Sequence, residues 1–181
     1  IEIKKVITKS DRKKFVDFPT KLYKNEKNYV HFLRSDELNL LSEKNPNLPD
    51  LEFEAFLAYK NREVVGRILV MEHFLSNNKM NQKYARFTRF DSINDIEVAR
   101  SLFNTAEKWA KDRGLEYIQG PLGFNDLDKE GLLVEGFEYQ NTFEGVYNFP
   151  YYDELVTKCG YEKEVDWLEF RIYPAKKIDE R

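Results

Sequence analysis

The clearest pattern of apolar and polar positions runs from residue 84 to residue 120. Residues 84–91 (YARFTRFD) are aromatic-rich and strand-like. Residues 98–114 (VARSLFNTAEKWAKDRG) repeat apolar side chains at the spacing of an amphipathic helix, with Gly114 where a C-cap belongs. Residues 115–120 (LEYIQG) return as a strand. The junction between the first strand and the helix, SINDIE, holds no glycine and carries Asp95 and Glu97.

Upstream, Ile1, Ile3 and Val6 alternate with polar residues and predict a strand over 1–8. Ser10 and Asp11 read as the cap of a helix to Tyr23, with Phe15, Val16, Phe18 and Leu22 as its apolar positions. Pro19 is predicted to break or kink it. Residues 36–43 suggest a second short helix, and 44–50 a loop. Strands over 52–60 and 63–73 make a hairpin around Asn61 and Arg62, followed by a polar loop at 76–83. Downstream, the apolar run 131–137 between glycines suggests a buried strand. Residues 151–159 form a helix ended by Gly160, and 161–173 alternate from Val165 onward as a final strand. This order predicts an α/β fold, a mixed sheet with helices on its faces.

Apolar residues at 41% and aromatics at 15% exclude a disordered chain, and a net charge of −3 gives no electrostatic case for nucleic acid or an anionic membrane as partner. No apolar run approaches the ~20 residues of a membrane span. With Cys159 as its single cysteine, the chain closes no internal disulfide, and a cytoplasmic location is expected. His31 and His73 have no cysteine at ligand spacing, so no metal site is expected. The sequence begins at Ile1 without Met and ends in a charged stretch, which reads as a piece of a longer chain.

Three stretches resemble the GNAT superfamily of acyl-CoA-dependent N-acyltransferases. EVVGRIL (63–69) is similar to its hairpin strand, SLFNTAEKWAKDRG (101–114) to the helix after its acyl-CoA loop, and YYDELVTKCGYEK (151–163) to its late helix with a Gly-aromatic exit. GPLGFNDLDKEGLLVEGFE (120–138) resembles a bacterial branch of GNAT-like proteins with chains about twice as long. The resemblance implies one GNAT-like domain over residues 1–173, with 174–181 as a charged tail at the start of a missing C-terminal region. It also implies a mostly antiparallel mixed sheet with a central, splayed parallel pair and helices on both faces. Acetyl-CoA or another acyl-CoA would lie in that opening. A small-molecule or peptide amine would be the acceptor, and a homodimer is one assembly it allows.

On this resemblance, a bulged strand at Phe87, Thr88, Arg89 and Phe90 fixes the thioester through backbone N–H groups, and Asn94, Val98 and Ala99 take the phosphate end. The family's loop reads Arg or Gln, two residues, Gly, one residue, Gly or Ala. Laid on this chain, those positions are Asn94, Glu97 and Ala99, so Glu97 and its neighbour Asp95 put negative charge where a phosphate docks. Two readings stay open. Asp95 and Glu97 are first-turn carboxylates worth roughly 0.3–1 kcal/mol each, with Ser92 or Asn94 as cap. Alternatively, they mark a modified site needing a cation or another acyl carrier. The family's proton-donating Tyr falls on Val156, while Tyr151 and Tyr152 lie one to two turns earlier. The alternative function is therefore a non-catalytic GNAT-like module, half of a longer chain or of a dimer.

Among the acidic residues of the 120–150 segment (Asp126, Asp128, Glu130, Glu135, Glu138 and Glu144), Glu135 is the candidate general base. It is flanked by apolar residues whose burial would raise its pKa; otherwise it is the polar member of a strand. Residues 126–130 read as a solvated turn. The aromatics Phe143, Tyr147, Phe149, Tyr151 and Tyr152 line a groove or pack a core. Arg67, Arg86 and Arg89 converge on an anion or pair with strand-face glutamates. Trp109 and Trp167 read as core, and Cys159 as a packed thiol at a helix C-terminus.

Overall fold

Residues 1–143 and 145–173 of the computed structural model are described here; Glu144 and the 174–181 tail lie outside them. The strands β1 (Glu2–Lys5), β2 (Leu51–Lys60), β3 (Glu63–His73), β4 (Tyr84–Ser92) and β5 (Tyr117–Gln119) form one sheet in that order. All neighbours are antiparallel except β4 and β5. The helices are α1 (Lys9–Leu22), α2 (Arg34–Leu40), α3 (Phe74–Met80), α4 (Ile96–Asp112) and α5 (Tyr151–Lys158).

The two-residue period of the strands sorts the core. Ala55, Leu57, Leu69 and Met71 face Phe15 and Val16 of α1. Their neighbours Phe56, Ala58, Ile68 and Val70 face Val98, Leu102, Phe103 and Ala106 of α4 and Leu155 of α5. With helices on both faces, β2 and β3 read as nearly continuous apolar runs. Gly66 lets α4 approach β3 closely: a Cβ there would stand 2.9 Å from both Val98 Cγ1 and Leu102 Cδ1.

Several elements depart from expectation. Thr8 caps α1, closing a capping box with Asp11, so the helix starts two residues before the expected Ser10–Asp11 cap. Pro19 lies inside α1 without ending it. It has no N–H to offer the Phe15 carbonyl, and Arg67 Nη1 supplies the missing donor at 2.9 Å. α2 begins at Arg34 because Asp36 and Glu37 then fall in its first turn, where carboxylates favour the helix N-terminus. The expected polar loop after β3 is α3. His73 Nδ1 accepts from the Ser76 N–H at its start, and Asn81 closes it in the left-handed region.

Two predicted strands are absent among the described residues. At 131–137 the Asn148 side chain takes both backbone groups of Leu133, at 2.8 and 3.0 Å, and replaces a strand neighbour. Residues 161–173 form no strand and pair with none of the sheet. Trp167 is 59% and Ile172 87% exposed, so Trp167 is not a core residue, whereas Trp109 is.

Candidate functional site

β4 and β5 pair over only three residues, from Tyr84↔Tyr117 to Arg86↔Gln119. Beyond Gly120 the chain turns across β4, and Leu122 N donates to Phe87 O at 2.9 Å. On the other edge of β4 the register with β3 runs Arg67↔Asp91 and then Leu69↔Thr88. Arg89 and Phe90 therefore share one opposing residue, Ile68, in a β-bulge, with Arg89 at φ +49°. The parting of β4 from β5 and this bulge open onto a cavity of about 70 Å³ lined by Arg67, Thr88, Asp91, Tyr147 and Tyr152 among others.

Two buried ionic networks form its floor. In the first, the Arg89 guanidinium forks between Glu37, at 3.0 and 3.2 Å, and Asp128, at 2.8 and 3.1 Å. Burial opposes the charge of Arg89, but the two carboxylates outweigh it and raise its pKa. Burial likewise disfavours the Asp128 carboxylate, yet Arg89 and the Phe124 and Lys129 N–H groups leave its pKa lowered. α2, the bulge and the 120–131 loop are thus tied at one point, and the expected solvated turn at 126–130 instead sends Asp128 inward.

In the second network, Asp91 Oδ2 accepts from Arg67 Nε at 2.7 Å, and Oδ1 accepts from the Tyr23 hydroxyl at 2.9 Å and the Tyr152 hydroxyl at 3.2 Å. The two phenols are 2.9 Å apart, and Ser92 N donates to the Tyr152 oxygen at 3.0 Å. Tyr151 donates to the Ser92 carbonyl at 2.8 Å. Burial first, then the Asp91 charge, pushes both Tyr23 and Tyr152 well above the ordinary phenol range. Both hold their protons throughout the neutral range. Tyr29, Tyr147 and Phe149 pack around Tyr23.

The expected phosphate end is closed. Asp95, rather than Ser92 or Asn94, is the N-cap of α4. Its carboxylate accepts from Glu97 N at 3.0 Å and from Lys60 at 2.8 Å, while its carbonyl takes Val98 N and Ala99 N. Lys60 first, then these backbone groups, lowers the Asp95 pKa against a desolvation that raises it. Of the first four N–H groups of the helix, three have partners, and only that of Ile96 lacks one among the described residues. Glu97 is exposed and pairs with Arg100. A pyrophosphate does not fit this helix end as it stands.

The remaining candidates scatter. Phe87 and Thr88 are buried beside the bulge, Asn94 is exposed, and Val98 and Ala99 are buried under the sheet. Glu135 is exposed, so the burial for which it was singled out is absent. Arg67 and Arg89 serve separate carboxylates, and Arg86 reaches Tyr84 and Ser76, so the three do not converge. Tyr147, Phe149, Tyr151 and Tyr152 pack together with Tyr23, while Phe143 is exposed. Burial raises the Cys159 thiol pKa. Among the described residues no His, Cys, Asp and Glu set could hold a metal ion, and no helix is long and apolar enough to cross a membrane. Sequence reasoning missed Tyr23, Glu37 and Asp91. Asp91 carried a signal, as the only carboxylate in the YARFTRFD strand.

No protein-family model matches the chain. It is 31% identical over 166 residues to Protein YghO of Escherichia coli (strain K12), covering 92% of this chain and 43% of that protein. It is 27% identical over 177 residues to the Bacterial ceramide synthase of Caulobacter vibrioides, covering 97% and 46%. The chain thus spans less than half the length of these curated relatives. In structure it is similar to an aminoglycoside acetyltransferase from a soil metagenome, solved with sisomicin, at TM-score 0.55 and 10% identity over 95% of this chain and 96% of that one. The five-stranded mixed sheet, its parallel β4–β5 pair and its helices on both faces give this chain the fold of the GNAT acetyltransferases.

Proposed function

We propose that the chain is the catalytic domain of an acyl-CoA-dependent N-acyltransferase whose acceptor is a small-molecule amine. One observation carries this reading: at the point where β4 parts from β5, the bulge faces a cavity holding a buried carboxylate, Asp91, hydrogen-bonded to two phenols that keep their protons. At about 70 Å³ the cavity admits reacting groups, not a whole ligand, since sites for complete small molecules run to roughly 300–1,000 Å³. The amine nitrogen attacks the thioester carbonyl, the N–C bond forms and the C–S bond breaks. Tyr152 is the donor to the departing sulfur, and Asp91 takes the amine's proton and restores that of Tyr152 across their hydrogen bond. The backbone at the bulge is the expected anchor of the thioester carbonyl.

The cavity is bordered by Tyr29, Phe32, Leu132 and Tyr147, which suits an amine with an apolar body. The relative named as a ceramide synthase supports the same class, since a ceramide is the amide of a long-chain amino alcohol. The test is thiol release from acetyl-CoA and a long-chain acyl-CoA against a panel holding a long-chain amino alcohol and an aminoglycoside. Amine-dependent release that falls at least a hundredfold in folded Tyr152→Phe is expected, by the ~10²–10⁴ typical of a positioned acid or base.

The closed end of α4 and the bond from Leu122 to Phe87 favour a second reading, a GNAT-shaped module without turnover. Absence of both CoA binding and thiol release with every amine would decide for it.

A further inference from the structure

We propose that the phosphates of the acyl donor dock in a cationic cleft between α1 and the β2–β3 turn, in place of the α4 N-terminus. This rests on the acyl-CoA reading above and adds the site that recognises the donor. The cleft has a volume of about 540 Å³, within the range of small-molecule sites. Lys13, Lys14 and Lys21 of α1 and Arg62 of the turn line it, against two carboxylates, Asp17 and Glu63. Asp17 is already held by both arms of Arg34, at 2.6 and 3.0 Å. Among the described residues none of the four lining cations closes an ion pair. Lys14 lies over the Tyr59 ring that forms part of the wall.

Two further observations connect the cleft to the donor. Lys60, at the start of the same turn, reaches across to the Asp95 cap of α4, so the turn borders the helix end where the phosphates were expected. That end has three of its first four N–H groups filled and carries a fixed carboxylate, while the four cations of the cleft beyond the turn close no ion pair among the described residues. The turn itself is built at a cost. Asn61 and Arg62 both have positive φ, 52° and 70°. The second of these positions in such a hairpin turn strongly favours glycine. An arginine there keeps a guanidinium on the rim of the cleft at the expense of backbone strain.

The strain supplies the decisive variant. Arg62→Gly removes the charge while easing the turn, so its thermal midpoint is expected to equal or exceed that of the parent. Binding of CoA and of inorganic pyrophosphate is measured by titration calorimetry on the parent chain, Arg62→Gly, Lys14→Glu and Asp95→Gly. Both probes are expected to bind the parent and to weaken roughly tenfold or more in the first two variants, as for loss of a charged hydrogen bond. Asp95→Gly is expected to stay within about threefold of the parent, less than a charged hydrogen bond contributes. A failure of either probe to bind, insensitivity to both cleft variants, or a gain of tenfold or more in Asp95→Gly overturns the proposal. So does sedimentation with phosphatidylglycerol vesicles through these residues without CoA binding, which would make the cleft a lipid contact. Acyl-pantetheine, a thioester without the nucleotide, separates the two readings. Amine-dependent thiol release from it would leave the transferase standing even if the cleft fails.

Discussion

Arg67 Nη1 donates to the Phe15 carbonyl at 2.9 Å, beneath the turn of α1 where Pro19 has no N–H to give. The same guanidinium holds Asp91 through Nε at 2.7 Å, so one buried side chain closes a helix and neutralises a carboxylate of the candidate site. Arg67→Met is expected to destabilise the fold by about 3–5 kcal/mol, because Asp91 is left buried without its counter-charge. Adding Asp91→Asn should return part of that loss. Urea unfolding of the two single variants and the double variant reads the coupling. Strict additivity would show that the pair acts as two independent contacts.

Asp128 makes part of the stability depend on pH. Burial works against its charge, but Arg89 and two backbone N–H groups bring its folded-state pKa below the unfolded value of about 3.9. A depressed carboxylate contributes stability that is fully present above the unfolded pKa and is lost as pH falls through the folded one. Asp128→Asn should therefore lie below the parent at pH 7, and the gap should narrow on acidification below about pH 4. Urea midpoints from pH 7 to pH 2.5 check this. A gap that stays constant would assign the loss to packing alone.

The long periodic elements were legible in the sequence because each carries its own local signal. The hairpin about Asn61 and Arg62, the β4–α4–β5 unit and α5 fall within a few residues of expectation. The carboxylates of the SINDIE junction do stabilise the helix, although the cap is Asp95 itself. What escaped depends on distant pairings. Tyr23 meets Asp91 across 68 residues and Tyr152 across 129, a separation no local period reports. Asp128 looked solvated within DLDKE, yet Arg89 draws it inward. Glu135 looked buried because its neighbours are apolar, but Asn148 takes both backbone groups of Leu133 and that stretch never joins the sheet. The alternation after Val165 is real, but no strand pairs with it among the described residues.

Gly66 is a packing requirement. A methyl group there would sit 2.9 Å from Val98 and Leu102 and 3.1 Å from the Asp91 carbonyl, which cannot retreat without disturbing β4. Gly66→Ala should cost roughly 1–3 kcal/mol, as overpacking of a filled core does. Because the strain lands on Asp91 and the start of α4, the variant should also lower amine-dependent thiol release more than its stability loss explains. Activity measured well below the unfolding midpoint separates the two effects.

The resemblance lays Glu97 on the glycine of the GNAT loop, and its charge suggested a blocked phosphate site. Its side chain is exposed and turned to Arg100, at 3.1 Å, whereas three of the first four helix N–H groups are taken by Asp95. Glu97→Gly should therefore leave CoA affinity unchanged while costing about 1 kcal/mol of helix stability, from the lost first-turn charge and the added backbone freedom. Titration calorimetry with CoA, paired with thermal unfolding, measures both quantities. Tighter CoA binding in this variant would return the phosphate to the α4 N-terminus. It would also identify Glu97, not Asp95, as the residue that keeps the phosphate out.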